Sequence, residues 1–336
     1  MKKKKSTIYT AVVIGCGRIG ATFEMDPHRP KPASHAASFQ VNKRTKLVAV
    51  VDVDEKLAKK AGSYYGVPFY TNVKECLERE MPDIIAIAAP PQMHEALVRL
   101  ALAHEVRGII CEKPLAHTER SANAIRAMVQ KAQITFMVNH QRRFFPIFKK
   151  LQKEIASGAL GRIEQVTGYY NNGLYNNGTH TIDTLRFLLG SECSWVFGMT
   201  NNKNSLAPQD DCNVDGLVGF KSGTVASLQS IDVGAIGIHD FTLIGDRCEV
   251  SIKKYGYRVE YRSVRASPLF AGSQEIRTEA KVAEDVRSML SASTEHLVHC
   301  MDGAEESGST AEDGLQTMRV LNALIKSARM KKLIKL

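Results

Sequence analysis

The stretch Ala11-Val12-Val13-Ile14-Gly15-Cys16-Gly17-Arg18-Ile19-Gly20 decides the fold of this 336-residue chain. Four apolar residues in a row read as a strand buried on both faces, which is the habit of a parallel sheet. Three glycines at G-x-G-x-x-G spacing follow at once. The first permits a tight turn, the second lets a pyrophosphate approach the backbone, and the third lets helix and strand pack closely. Backbone N–H groups at the helix start then face the phosphates. Gly15, Gly17, Arg18, Ile19 and Gly20 are therefore the expected contacts of a dinucleotide.

The same rhythm continues outward. Apolar runs at 47–51, 84–88, 109–111 and 135–138 alternate with stretches at 55–65, 93–104 and 119–131 that carry apolar residues at three- and four-residue spacing. This is the βαβ pattern of a doubly wound, Rossmann-type parallel sheet. After about residue 145 the rhythm changes. A helix over 148–157, a strand over 163–170 and a helix over 181–189 lead into strand-like segments from Trp195 to Arg262, punctuated by glycines. That succession favours antiparallel pairing. Helices near 284–301 and 310–330 close the chain. The expected domains are 1–140 and 141–336, with the closing helices candidates to pack back on the first.

Asp52 ends the second strand, where a carboxylate accepts hydrogen bonds from both ribose hydroxyls and repels a 2′-phosphate. NAD is thus favoured over NADP. Its distance from Gly20 is longer than usual, and Pro27, Pro30 and Pro32 forbid a continuous helix between them. A loop is inserted near the cofactor mouth, with Ser34 a cap for a helix resuming at His35. His35 lies near that mouth and more readily packs there than acts. Ala89 and Pro90, at the end of the strand 84–88, sit at the ligand-binding edge of such a sheet. His94 either touches the nicotinamide side or decorates the first helical turn. Glu112-Lys113-Pro114 ends the strand 109–111. A lysine there is partly desolvated, which lowers its pKa towards the range useful for proton transfer.

Bulk properties narrow the class. Lys2 to Lys5 at one end and Lys326, Arg329, Lys331, Lys332 and Lys335 at the other carry nearly all of the net charge of +10. The body is close to neutral, so specific nucleic-acid binding is disfavoured. No apolar run approaches the roughly 20 residues of a membrane span, and the amino terminus lacks a secretory pattern. Seven cysteines without metal-ligand spacing fit reduced, buried thiols in a cytoplasmic protein, and no metal site is expected.

Gly15-x-Gly17-x-x-Gly20, Asp52, Pro90-Pro91-x-x-His94, Glu112-Lys113-Pro114, Asn139-His140-Gln141-Arg142-Arg143-Phe144 and Gly178-Thr179-His180-x-x-Asp183 occur in one order. This ordered set resembles the Gfo/Idh/MocA oxidoreductases over nearly the whole chain. The resemblance implies a nucleotide-binding domain followed by an α/β domain with a large, mostly antiparallel open sheet that often serves in homo-oligomer contacts. It implies sugar, sugar-nucleotide or cyclic-polyol substrates. It assigns Glu112 and Lys113 to the cofactor side, Lys113 to substrate as well, and His180 to acid/base work on the reacting hydroxyl.

Many members carry an aspartate four residues before that histidine. Here the position is Asn176, whose amide orients a hydroxyl but takes no proton. The burden moves to His180, with a near-neutral unperturbed pKa, and to Lys113. Tyr170, Asn176 and Asn177 supply neutral groups suited to a polyol. Arg143, with Arg142, either binds a substrate or cofactor anion or forms structural ion pairs. A dinucleotide-binding regulator without turnover is the competing reading. Asn176 leans towards it, and Lys113 and His180 lean against it.

Overall fold

The computed structural model describes residues 7–203 and 211–336. The lysine run at 2–5 lies outside the described residues. The chain forms two compact units. One holds the described residues up to Phe145 together with Arg287–Leu315, and the other holds Pro146–Val286 and Gln316–Leu336. The division falls after Phe145, a few residues beyond 140, and 287–315 joins the first unit.

In the first unit, β1 (Tyr9–Ile14), β2 (Thr45–Val51), β3 (Phe69–Tyr70), β4 (Ile84–Ile87), β5 (Gly108–Cys111) and β6 (Thr135–Val138) form a parallel sheet in the order β3-β2-β1-β4-β5-β6. β1 and β4 are neighbours on which the chain winds in opposite directions, so their carboxyl ends border the crevice where such sheets bind ligands. The helices α1 (His35–Val41), α2 (Glu55–Tyr65), α3 (Val73–Glu80), α4 (His94–Ala103) and α5 (Glu119–Ala132) connect the strands. β3 and α3 are too short to show a period, which is why sequence patterning passed over them.

α8 (Met289–Met301) returns to this unit. Leu297 and Val298 share a buried cluster with Phe39 of α1 and with Tyr9, Ala11 and Val13 of β1. Ser38 Oγ lies 2.6 Å from Thr294 Oγ1 within that contact.

The glycine turn is followed by a single helical turn and then by an excursion to residue 34. The chain closes over it in register: the N–H groups of His35 and Ala36 donate to the carbonyls of Ile19 and Gly20 at 2.9 and 3.0 Å. Those carbonyls would serve residues 23 and 24 in an unbroken helix, so twelve residues are looped out. The thirty-two positions from Gly20 to Asp52 then reduce to the spacing of about 20 usual for this site. Lys31 Nζ donates to carbonyls inside the loop, at 2.8 Å to Asp26 and more closely still to Glu24. Arg29 stacks on Phe23.

The second unit contains α6 (Pro146–Ala156), α7 (Thr179–Leu189), most of α9 (Ala311–Met330) and a ten-stranded sheet. Its strands are β7 (Ile163–Asn171), β8 (Cys193–Asn201), β9 (Asn213–Phe220), β10 (Val225–Ile231), β11 (Phe241–Gly245), β12 (Cys248–Lys253), β13 (Arg258–Ala266), β14 (Gln274–Ile276), β15 (Lys281–Glu284) and β16 (Ile334–Lys335). The order is β14-β13-β12-β11-β7-β10-β9-β8-β16, with β15 also on β13, and every pair except β7–β10 is antiparallel. β15 ends at Glu284, where the sequence reading began a helix, and that helix starts instead at Met289.

Pairing register puts Phe197, Leu217, Thr242 and Val282 on one face of this sheet, with Met199 and Ile244 two residues along their strands. Met199, Leu217, Ile244 and Val282 are exposed. The opposite face buries Val166, Val196, Val218, Leu243, Val250 and Val259.

Candidate active site

The carboxyl edge of the parallel sheet fits a dinucleotide. Gly15 has φ +98°, and a Cβ there would lie 2.6 Å from the carbonyl oxygen of Ala88, at the end of β4. A Cβ on Gly20 would lie 1.8 Å from the oxygen of Gly15. Both positions are closed by packing. A Cβ on Gly17 would meet nothing within 4 Å, so the middle glycine opens outward where a pyrophosphate needs room. Arg18 is exposed beside it, and Ile19 is half-buried.

Asp52 braces the glycine turn. Its Oδ2 accepts from the N–H of Cys16 at 2.7 Å and its Oδ1 from the N–H of Asp54 at 2.9 Å. Burial, reinforced by the Asp52 charge, pushes the Cys16 thiol up to about 12. That thiol stays protonated and acts as packing.

Ala89 is half-buried and Pro90 exposed at the end of β4. His94 stands in the first turn of α4 with its ring turned inward. It is fully buried, with Nε2 2.9 Å from the Ala89 oxygen, Nδ1 3.0 Å from the Leu115 oxygen, and Cys111 Sγ 3.3 Å from Nδ1. Desolvation lowers its pKa despite the carbonyls around it. The ring ties the segments that follow β4 and β5.

Glu112 is likewise turned inward. Its carboxylate takes His35 Nε2 at 2.9 Å and Asn139 Nδ2 at 2.6 Å on Oε1, and the N–H of Lys113 at 3.3 Å on Oε2. His35, expected only to pack, is the unforeseen partner. The looped-out segment hides their proximity in the sequence. Lys113 is half-buried at the strand end.

Arg143 is buried, with Nη1 3.0 Å from Asp313 Oδ1 and 3.1 Å from the Gly308 oxygen. Of its two open roles the structure shows the ion pair.

In the second unit the stretch before His180 is a tight turn held from one side. Leu174–Gly178 forms one π-type turn directly before α7. The carboxylate of Asp211 accepts from the N–H groups of Tyr175 at 2.9 Å and Asn176 at 2.7 Å. Asn213 Oδ1 accepts from Gly173, and the Cys212 carbonyl accepts from Leu174. Gly173 sits at φ +92° with the Asp211 carboxylate against it, leaving no space for a side chain. Asn177 Nδ2 donates to Asn171 Oδ1 at 3.0 Å.

Asn176, Asn177 and His180 are half-buried. The His180 ring meets His239 edge-on at 6.3 Å between centroids. Asp211 and His239 carried no sequence signal, because each meets its partner across a long stretch of chain, just before β9 and β11. Tyr170 is fully buried. Its hydroxyl donates to the Val214 carbonyl at 2.7 Å and accepts from the Val214 N–H at 2.8 Å. In this position Tyr170 ties β7 to β9 within the core.

Residues 9–140 match the model of an oxidoreductase family with an NAD-binding Rossmann fold, and 153–336 match that of the oxidoreductase family's C-terminal alpha/beta domain. The chain belongs to the Gfo/Idh/MocA oxidoreductase family. It is 23% identical to an inositol 2-dehydrogenase of Rubrobacter xylanophilus, over 94% of this chain and 90% of that one. It is 24% identical to a D-apiose dehydrogenase of Rhizobium rhizogenes, over 84% and 88%. The crystal structure of an aldose-aldose oxidoreductase from Caulobacter crescentus, complexed with glycerol, superposes with a TM-score of 0.79 at 20% identity, covering 98% of this chain and 100% of that one. Among the described residues no helix is long and apolar enough to cross a membrane.

Proposed function

We propose that this oxidoreductase is an NAD-dependent dehydrogenase or reductase acting on a hydroxyl or keto carbon of a sugar, sugar derivative or cyclic polyol. The observation that carries the reading is the glycine turn, closed at Gly15 and Gly20 and open at Gly17, beside Lys113 on the same sheet edge. Bound NAD supplies a two-electron hydride acceptor. Asp52 accepts from the ribose hydroxyls and disfavours a 2′-phosphate. Lys113 donates a hydrogen bond to the substrate oxygen. His180 exchanges the hydroxyl proton, and Asn176 and Asn177 orient neighbouring hydroxyls with neutral amides. The names of the relatives support the substrate class.

The exposed apolar stripe of the ten-stranded sheet supports a homo-oligomer through that face. Seven free thiols support a reducing, cytoplasmic setting.

A panel of cyclic polyols, aldoses and their lactones, followed by NADH absorbance, tests the reading. Turnover with a preference for NAD, lost in both Lys113→Ala and His180→Ala, is expected. Tight NADH binding with no turnover on any member of the panel supports a non-catalytic regulator instead.

A further inference from the structure

Glu112 is a carboxylate at the cofactor edge whose side chain is only 9% exposed. Burial by itself raises its pKa, but the hydrogen bond and charge of His35, the charge of Lys113 and the amide of Asn139 outweigh that and hold it below the usual carboxylate value. It is therefore an ionised group in a region of low dielectric, where a charge is felt strongly by its neighbours. Three separate segments deliver its donors: the start of α1, the end of β5 and the residue after β6.

The cluster is not assembled for general polar satisfaction. His35 Nδ1 and Asn139 Oδ1 are both buried without a hydrogen-bond partner among the described residues. Buried polar atoms seldom go unmatched, and each exception calls for a reason. Here both side chains spend their other polar atom on the same carboxylate oxygen.

The titratable groups facing Glu112 are His35 from α1, His94 from α4, the Cys111 thiol and Lys113. Burial lowers the His94 pKa, so that ring is neutral at pH 7. Burial holds the Cys111 thiol well above its ordinary value, so it stays protonated. Neither neutralises the carboxylate.

We infer that His35, Glu112 and Asn139 form a built-in counter-charge that fixes the backbone at residue 113 and keeps the Lys113 side chain an ammonium. Lys113 then works as a cation and hydrogen-bond donor to the substrate oxygen, and His180 is left as the proton-exchanging group. This is the reverse of the lowered lysine pKa expected from desolvation alone. Glu112, His35 and Asn139 are positioning residues. The inference rests on the reading of Lys113 given under Proposed function, but its test does not need turnover.

In protein labelled with lysine carrying carbon-13 at Cε, the Lys113 resonance is assigned by its loss in Lys113→Arg and titrated from pH 6 to 11. Removing the adjacent anion in Glu112→Gln is expected to lower the Lys113 midpoint by about one pH unit. His35→Gln, which keeps a donor at that position and leaves the Glu112 charge in place, is expected to move it much less. Glu112→Asp, which restores the charge, should bring the midpoint back, and the wild-type midpoint carries the test if Glu112→Gln fails to fold. An unmoved Lys113 midpoint in Glu112→Gln overturns the inference. So does a wild-type midpoint below that of a free lysine. An absent turnover with the expected titration would count against the dehydrogenase reading alone.

Discussion

The backbone N–H of His35 donates to the carbonyl of Ile19 at 2.9 Å although sixteen positions separate them in the chain. That single bond makes two helical fragments one and carries His35 to Glu112. It also shows that the excursion from 22 to 33 is an addition to a continuous helix rather than part of its path.

Deletion of residues 22–33, joining Ala21 to Ser34, is expected to leave a folded first unit. Ser34 stays available to the Tyr65 hydroxyl, which it meets at 2.8 Å. The bonds lost are those within the loop, the tie of Ser288 to Pro32, and the N–H bonds of Thr22, Phe23 and Glu24 to the carbonyls of Gly17, Arg18 and Ala21, the second of which Ser34 is placed to take over. Circular dichroism and a thermal melt check this. A shift of a few degrees matches loss of about 1 kcal/mol, and a failure to fold would show the loop to be structural.

Tyr170→Phe removes both bonds to Val214 while keeping the ring. Leaving buried backbone groups unmatched costs about 1–3 kcal/mol. Denaturant unfolding should show that loss while the KM of any substrate found stays within about twofold. A tenfold rise in KM at unchanged stability would reinstate Tyr170 as a substrate contact.

Asp211→Ala frees the N–H groups of Tyr175 and Asn176 and loosens the turn that leads into His180. Misplacing such a segment by about 1 Å can cost on the order of 100-fold in rate. The expected outcome is a fall in kcat/KM of about ten- to a hundredfold with NADH affinity unchanged, read by steady-state kinetics and fluorescence titration. Equal kinetics in the variant and the parent would confine Asp211 to packing.

Glu112 gives a pH dependence of fixed sign. Its folded pKa lies below the ordinary value of 4.5. Its contribution to stability is therefore complete above the unfolded pKa and is lost as pH falls through the folded one. Melting temperatures between pH 7 and pH 3 should fall more steeply in the parent than in Glu112→Gln, the two curves drawing together in acid. Parallel curves would show that the carboxylate is not held ionised by folding.

The sequence by itself determined the parallel first sheet, because unbroken apolar runs and a glycine turn are local signals that need no partner to be read. It determined the antiparallel character of the second sheet through the crowding of strands and glycines. It also located Lys113 just past the end of one strand and His180 at the start of one helix, positions marked by proline and glycine. Only tertiary structure decided what the polar groups do. Tyr170, His94, Glu112 and Arg143 look like ligand contacts in a linear reading, yet packing and donor geometry turn all four inward. His35, Asp211 and His239 gained their neighbours through a closed helix and across long stretches of chain. A hydrogen bond depends on distance and direction in space, and one chain's spacing encodes neither across a looped-out segment or a sheet.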